Sequence, residues 1–292
     1  MFKSAIETLF PDSAEIAVTS GIVNVASVPQ RSPFRYPGGK TWLIPRIRAW
    51  MQSLSHCRLF VEPFAGGGIA SLTVAMENLA DRVVMIELDD QVAAVWETIL
   101  EGDHQQLVDR ILSFEISRKA VIDELSQPPK DRDHFAFQTI LRNRVQRGGI
   151  LAPGASLVRN GENGRGVASR WYPQTLARRI EAIAQVRHRI EFYHGNAMDL
   201  LPQYLHYKSS AIFIDPPYTA GGKRAGNRLY AQSGLDHERV FDLAARASGS
   251  VMMTYDNAPE PRQWALRHRF QVEPVPMSNT HHQTMLELVI TN

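Results

Sequence analysis

From Arg58 onward, short apolar runs alternate with segments of helical length, and this alternation constrains the chain more than any other feature. The runs are Leu59-Phe60-Val61, Val83 to Ile86, Ile190 to Tyr193, Ala211 to Ile214, Val251 to Thr254 and Leu286 to Ile290. Apolar character that is continuous rather than alternating marks strands covered on both faces, as in a parallel sheet beneath crossover helices. The expected class is α/β, with a doubly wound, Rossmann-like sheet. Helices are expected over Trp42 to Met51, Ile69 to Leu79, Leu107 to Leu125, His134 to Val145 and Thr175 to Val186.

Between Gln105 and Arg187 the alternation lapses into helical stretches and a glycine- and arginine-rich loop. The expected organisation is therefore an N-terminal extension (1–31), a sheet-bearing domain (32–105 and 187–292) and a mainly helical insertion (106–186). Charge separates the same regions. Net charge is only +2, yet ten arginines lie between Arg142 and Arg189 against two acids, Glu162 and Glu181. Arg142, Arg144, Arg147, Arg165 and Arg170, interleaved with glycine, asparagine and Trp171-Tyr172, are candidate contacts to a polyanion. Composition points to a globular protein, at 44% hydrophobic and 21% charged residues.

Some classes are excluded or disfavoured. Cys57 is the only cysteine, so neither an intrachain disulfide nor a cysteine-rich zinc site can form. No run approaches the roughly 18 apolar residues of a bilayer span, and Glu7, Asp12 and Glu15 interrupt any signal-peptide core, which makes the cytosol the expected compartment and no membrane the expectation. His281-His282 and Glu287 lack consistent ligand spacing, and no metal is expected.

Three motifs carry chemistry. The first is Phe60-Val61-Glu62-Pro63-Phe64-Ala65-Gly66-Gly67-Gly68, a buried strand running into a glycine turn and a helix, where backbone can approach a ligand closely. Glu87 ends the next strand, nineteen residues after Gly68, where an acid can bind both hydroxyls of a ribose. A dinucleotide fits less well, because Ser71 stands at the third glycine position of that fingerprint. The second is Asp215-Pro216-Pro217-Tyr218 at the carboxyl end of an apolar strand. Asp215 and the Pro216 carbonyl can accept both hydrogens of a planar amino group, making its nitrogen more nucleophilic, while Pro217 stiffens the turn and Tyr218 can stack on the ring. The third is Ser32-Pro33-Phe34-Arg35-Tyr36-Pro37-Gly38-Gly39-Lys40. Here Tyr36 can pack on a cofactor, and Lys40 can neutralise the carboxylate of a bound amino acid.

Taken in chain order, Phe34 to Lys40, then Val61 to Gly68, then Asp215 to Tyr218, the three motifs resemble those of the Dam-like DNA adenine methylases, and the resemblance runs from Ser32 to Asn292. It implies a class I methyltransferase fold with the insertion as a target-recognition domain, and S-adenosylmethionine as methyl donor, leaving S-adenosylhomocysteine. It further implies transfer to the N6 amino group of adenine in duplex DNA, with the base flipped out and the methyl displaced directly. Cofactor contacts are expected from Tyr36, Lys40, Glu62, Phe64, Gly66, Gly68, Glu87, Asn196 and Asp215, and catalysis from Asp215, Pro216, Pro217 and Tyr218. Glu87 and Asn196 stand where the family often has aspartate. DNA contacts are expected from the five arginines above and from Lys223 and Arg224 beyond Tyr218. Cytosine N4 or an RNA base would be read by the same Asp-Pro-Pro-Tyr chemistry, and the Tyr36 to Lys40 segment tips the reading to adenine. A non-catalytic DNA-binding scaffold is the alternative of another class, opposed by intact Asp215 and Tyr218. Double-stranded DNA is the expected partner, joined by a cognate restriction nuclease or defence system if the chain belongs to a restriction-modification pair. A nucleoid-associated monomer or weak dimer is expected.

Overall fold

The computed structural model describes residues 23, 25–35, 39–152, 154–217, 234–278 and 284–292. Its sheet is built from β1 (Leu59–Glu62), β2 (Arg82–Glu87), β3 (Ile190–His194), β4 (Ser210–Ile214), β5 (Ser250–Asp256), β6 (Gln271–Ser278) and β7 (Thr284–Thr291). The spatial order is β3-β2-β1-β4-β5-β7-β6. Strands β1 to β5 pair in parallel, whereas β7 runs antiparallel between β5 and β6. This is the class I methyltransferase sheet.

Alternate residues of each central strand point to opposite faces, and each face has its own core. Phe60, Val83, Met85, Ala211 and Phe213 join one apolar cluster, and Leu59, Val61, Val84, Ile86, Ile212 and Ile214 join the other. Burial on both faces is what makes these strands read as unbroken apolar runs.

The first face is covered by α1 (Ile44–Ser53), α2 (Ile69–Met76), α3 (Asp90–Leu100), α4 (His104–Ser113), α5 (Arg118–Ser126), α6 (Arg132–Val145) and α7 (Pro173–Val186). Helix α6 packs on α3 and α4, and α7 on α2, α3 and α4, so Phe137, Ile140, Leu176 and Ile180 enter the same cluster as the sheet. The helices of 106–186 thus form part of the layer over this face. The opposite face is covered by α8 (Ala197–Leu200), α9 (His237–Ala245) and α10 (Pro259–Arg267).

Two features depart from the sequence expectation. The stretch Leu107 to Leu125 is two helices, because the Ser117 side chain accepts from the Ala120 amide at 3.1 Å and starts α5 afresh. Strand β6 was not expected, since Pro274 and Pro276 demote a run as strand. It lies at the sheet edge, paired only with β7, where a residue without an N–H costs no ladder bond on its outer side.

Candidate active site

Parallel pairing brings the carboxyl ends of β1, β2, β4 and β5 to one edge of the sheet, where open α/β sheets bind ligands. Antiparallel β7 reaches that edge with its N-terminal half, placing Glu287 opposite Asp256 of β5.

The glycine turn after β1 is closed against the end of β2. Ala65 donates to the Ile86 carbonyl at 2.9 Å, Gly66 donates to Glu87 Oε2 at 2.7 Å, and the Trp96 indole donates to the Gly66 carbonyl at 2.9 Å. Glu87 Oε1 accepts from the amides of Leu88 and Asp89, both at 2.9 Å. Gly68, at φ 63°, begins α2, and a Cβ there would lie 2.7 Å from Met85 Cε and 3.0 Å from the Trp96 ring. The left-handed conformation favours glycine at that position, and a Cβ would also crowd the Trp96 ring.

Glu62 closes β1 and is buried, with Oε2 accepting from the Ser71 amide in the first turn of α2 at 2.9 Å. Burial pushes its carboxyl up to about 8; the Ser71 bonding opposes this, and the negative charges of Asp215 and Glu87 reinforce it. Burial also raises Glu87 above the usual carboxylate range. Glu62 thus feels the charges of Glu87 and Asp215 at the carboxyl edge of the sheet. Phe64, half-buried, follows on the same turn, and Asn196 sits beyond β3, where its side chain caps α8 through the Met198 amide at 2.9 Å.

Asp215 and Pro216 leave β4 beside this turn, since β4 pairs with β1. Asp215 Oδ1 accepts from the Thr254 hydroxyl of β5 at 2.8 Å and lies 3.0 Å from Lys40 Nζ. Lys40 Nζ is also 3.0 Å from Glu287 Oε1. The lysine side chain is only 4% exposed. Burial alone would lower its pKa, but Asp215 and Glu287 outweigh that and raise it above the ordinary lysine value. The expectation of Lys40 as partner of a bound amino-acid carboxylate is thus joined by another role, because the described geometry turns its ammonium toward two carboxylates of the protein.

Tyr36, Pro37, Tyr218, Lys223 and Arg224 lie outside the described residues, as do His281 and His282 and most of the N-terminal extension.

The arginines of the insertion divide. Arg147 and Arg165 are exposed, and Arg142 and Arg170 are half-buried. Arg144 departs from the expectation: it is 6% exposed, and its guanidinium donates to the Pro33 carbonyl. A side chain so enclosed is not placed to meet a phosphate. Burial, then the charges of Arg179, Arg35 and Arg170, lower its pKa to about 9. Arg179 donates to the Ser32 carbonyl at 3.0 Å, and buried Asn143 grips the Arg35 backbone. Gly149 closes the same contact, since a Cβ there would come 2.4 Å from the Arg35 carbonyl. Trp171 likewise turns inward, edge-on to Phe114 and Phe137. The loop from Gln146 to Val158 is closed by an antiparallel bridge between Gln146 and Leu157 and a bond from the Arg147 amide to the Ser156 carbonyl at 3.0 Å.

Sequence reasoning missed Thr254 and Glu287 as members of the site. The signal was an acid standing within the otherwise apolar run Leu286 to Ile290.

The family model for the D12 class of N6 adenine-specific DNA methyltransferases matches residues 36–147. The chain is 24% identical over 194 residues to the Type II methyltransferase M.CviBI of Paramecium bursaria Chlorella virus NC1A, covering 63% of this chain and 67% of that one. Similar solved structures include PH1948 from Pyrococcus horikoshii, with TM-score 0.41, 10% identity and coverage of 91% and 92% of the two chains. The rRNA methyltransferase aviRa from Streptomyces viridochromogenes is another, with TM-score 0.37, 10% identity and coverage of 85% and 82%. The glycine turn lies inside the matched segment and the Asp215 motif stands beside it on β4, so over residues 36–147 the chain is similar to the D12 class of N6 adenine-specific DNA methyltransferases.

Proposed function

We propose that the protein binds S-adenosylmethionine across the carboxyl ends of β1, β2 and β4 and methylates N6 of an adenine flipped out of duplex DNA at a defined sequence. The observation that carries the reading is the fixed carboxylate of Asp215, held by Thr254 and Lys40 beside the glycine turn.

The side chains at the carboxyl edge of the sheet fit the cofactor. Glu62, Glu87 and Asp215 bring negative charge together, and burial holds Glu62 up at about 8. Burial raises both Glu62 and Glu87, and a ligand carrying an ammonium and a sulfonium brings positive charge that favours their ionised forms. Glu62 serves the ammonium, Glu87 the ribose hydroxyls, Phe64 and Tyr36 the cofactor's apolar surfaces, and Asn196 the region of its adenine. The bound cofactor supplies a sulfonium methyl open to direct in-line displacement by a nitrogen. Asp215 and the Pro216 carbonyl accept the amino hydrogens and orient the nitrogen's lone pair, while Pro217 and Tyr218 fix the plane of the base.

Arg142, Arg147, Arg165 and Arg170 face the duplex from the insertion, which serves as the target-recognition region, and Lys223 and Arg224 approach from beyond the catalytic turn. The likeness to a Type II methyltransferase supports a restriction-modification setting with a cognate nuclease. Incubation with tritiated S-adenosylmethionine and unmethylated duplex, followed by digestion to nucleosides, tests the reading. Label is expected in N6-methyl-2′-deoxyadenosine; label in N4-methyl-2′-deoxycytidine or none at all overturns it.

A further inference from the structure

We propose that Glu287 is a positioning residue for methyl transfer: by sharing the Lys40 ammonium with Asp215, it holds the Asp215 carboxylate in orientation and keeps it strongly anionic. The inference rests on Asp215 serving the adenine amino group, and extends that reading to a strand far from the motif.

The geometry is a buried chain of contacts. Glu287 is 6% exposed, and its Oε1 lies 3.0 Å from Lys40 Nζ, which lies 3.0 Å from Asp215 Oδ1. Thr254, fully buried, donates to the same Oδ1 at 2.8 Å. Two donors on one oxygen set the plane of the carboxylate and with it the direction of Oδ2. The strands make the arrangement rigid: Thr254 and Glu287 lie on paired β5 and β7, with Thr254 opposite Val289 and Asp256 opposite Glu287.

Charge gives Glu287 its second effect. A lysine paired with one aspartate makes a neutral couple, and an aspartate so neutralised is a weaker acceptor for amino hydrogens. Two carboxylates around one ammonium leave the group with net charge −1. Without Glu287, the whole attraction of Lys40 falls on Asp215. A buried acid in an apolar strand costs desolvation, so retaining it for packing alone has no advantage over leucine or methionine.

The test compares Glu287→Gln, Glu287→Asp, Asp215→Asn and the double variant Glu287→Gln/Asp215→Asn, with methyl transfer to duplex DNA measured by single-turnover and steady-state kinetics. Glu287→Gln is expected to lower kcat by about 10- to 100-fold, as for other groups that orient a reacting one. KM for cofactor and DNA should stay within about twofold, because the uncharged side chain changes what the transition state needs more than what binding needs. Glu287→Asp restores the charge and should recover most of the rate. In the Asp215→Asn background, Glu287→Gln should have little further effect, since its action passes through that carboxylate. A merely structural glutamate would instead lower both rates by the same factor.

Wild-type kcat in Glu287→Gln overturns the inference while leaving the Asp215 reading intact, as does a multiplicative effect in the double variant. Undiminished turnover in Asp215→Asn overturns the reading beneath it. Should Glu287→Gln not fold, Lys40→Met/Glu287→Leu removes the buried pair together, leaving neither charge alone in the interior. That protein is expected to fold with kcat depressed at least as far, and wild-type kcat in it also overturns the inference.

Discussion

The Arg35 backbone and the Asn143 side chain, 108 positions apart, bond in both directions: the Arg35 amide donates to Asn143 Oδ1 at 2.7 Å, and Asn143 Nδ2 donates to the Arg35 carbonyl at 3.0 Å. Asn143 Nδ2 also reaches the Gly149 carbonyl at 2.9 Å. One buried amide thus ties the segment leading to Lys40 to the end of α6 and the start of the insertion loop. Asn143→Ala leaves several buried backbone groups without this partner and should destabilise the protein by about 2 to 4 kcal/mol. Urea unfolding checks it; an unchanged midpoint would contradict the role.

Glu62 makes the protein pH-sensitive in a stated direction. Its folded value of about 8 lies above the ordinary 4.5, so the folded state holds a proton that the unfolded state releases between those values. Its contribution to the stability of the cofactor-free protein is full below about 4.5 and is lost as pH rises through about 8. A bound ammonium favours the ionised carboxylate, so cofactor binding near pH 6.5 should release a proton from Glu62. At that pH the cofactor's own amino group, of ordinary value about 7.7 to 8, remains charged. Calorimetry in buffers of different ionisation enthalpy measures the release. Glu62→Gln should abolish it, and an unaltered proton count in that variant would remove Glu62 from the cofactor site.

Arg147 and Arg165 should behave oppositely to Arg144. Replacing either exposed arginine by alanine should leave thermal stability unchanged. Where the arginine meets a phosphate, its removal makes the salt dependence of DNA binding shallower by about one unit. If one of them reads guanine instead, the loss of about 1 to 3 kcal/mol is confined to one base pair. Arg144→Ala should lower the melting temperature, because the bond to Pro33 and the packing of the side chain disappear, without altering the salt slope. Melting curves and binding isotherms at several salt concentrations separate the two classes; a shallower slope in Arg144→Ala would return that residue to the DNA surface.

What could be read in advance was what is local in the chain. The turn from Phe60 to Gly68 is a strand, a glycine break and a helix within a few residues, and Asp215-Pro216-Pro217 ends an apolar run, so type and spacing suffice. The sheet class followed because strands buried on both faces show unbroken apolar runs. What stayed hidden depends on distant partners. Whether Arg144 faces solvent or the Pro33 carbonyl is settled by a segment 111 positions away, and local charge density does not encode it. Strand β6 was obscured by Pro274 and Pro276, which are tolerated only because that strand lies at the edge. Glu287 was visible as an acid in an apolar strand, but its partner Lys40 comes from the other end of the chain.

The central claim is that Asp215 holds the amino group being methylated, and the most direct measurement is the rate of methyl transfer to unmethylated duplex by Asp215→Ala at saturating S-adenosylmethionine. Lys40 keeps Glu287 as a partner in this variant, so the fold should survive, with circular dichroism and cofactor binding as controls. Loss of a preorganised group facing the reacting atom corresponds to about 3 to 4 kcal/mol in the barrier, or a rate lower by roughly 10²- to 10³-fold. A folded, cofactor-bound Asp215→Ala protein that methylates DNA at close to the wild-type rate would contradict the account.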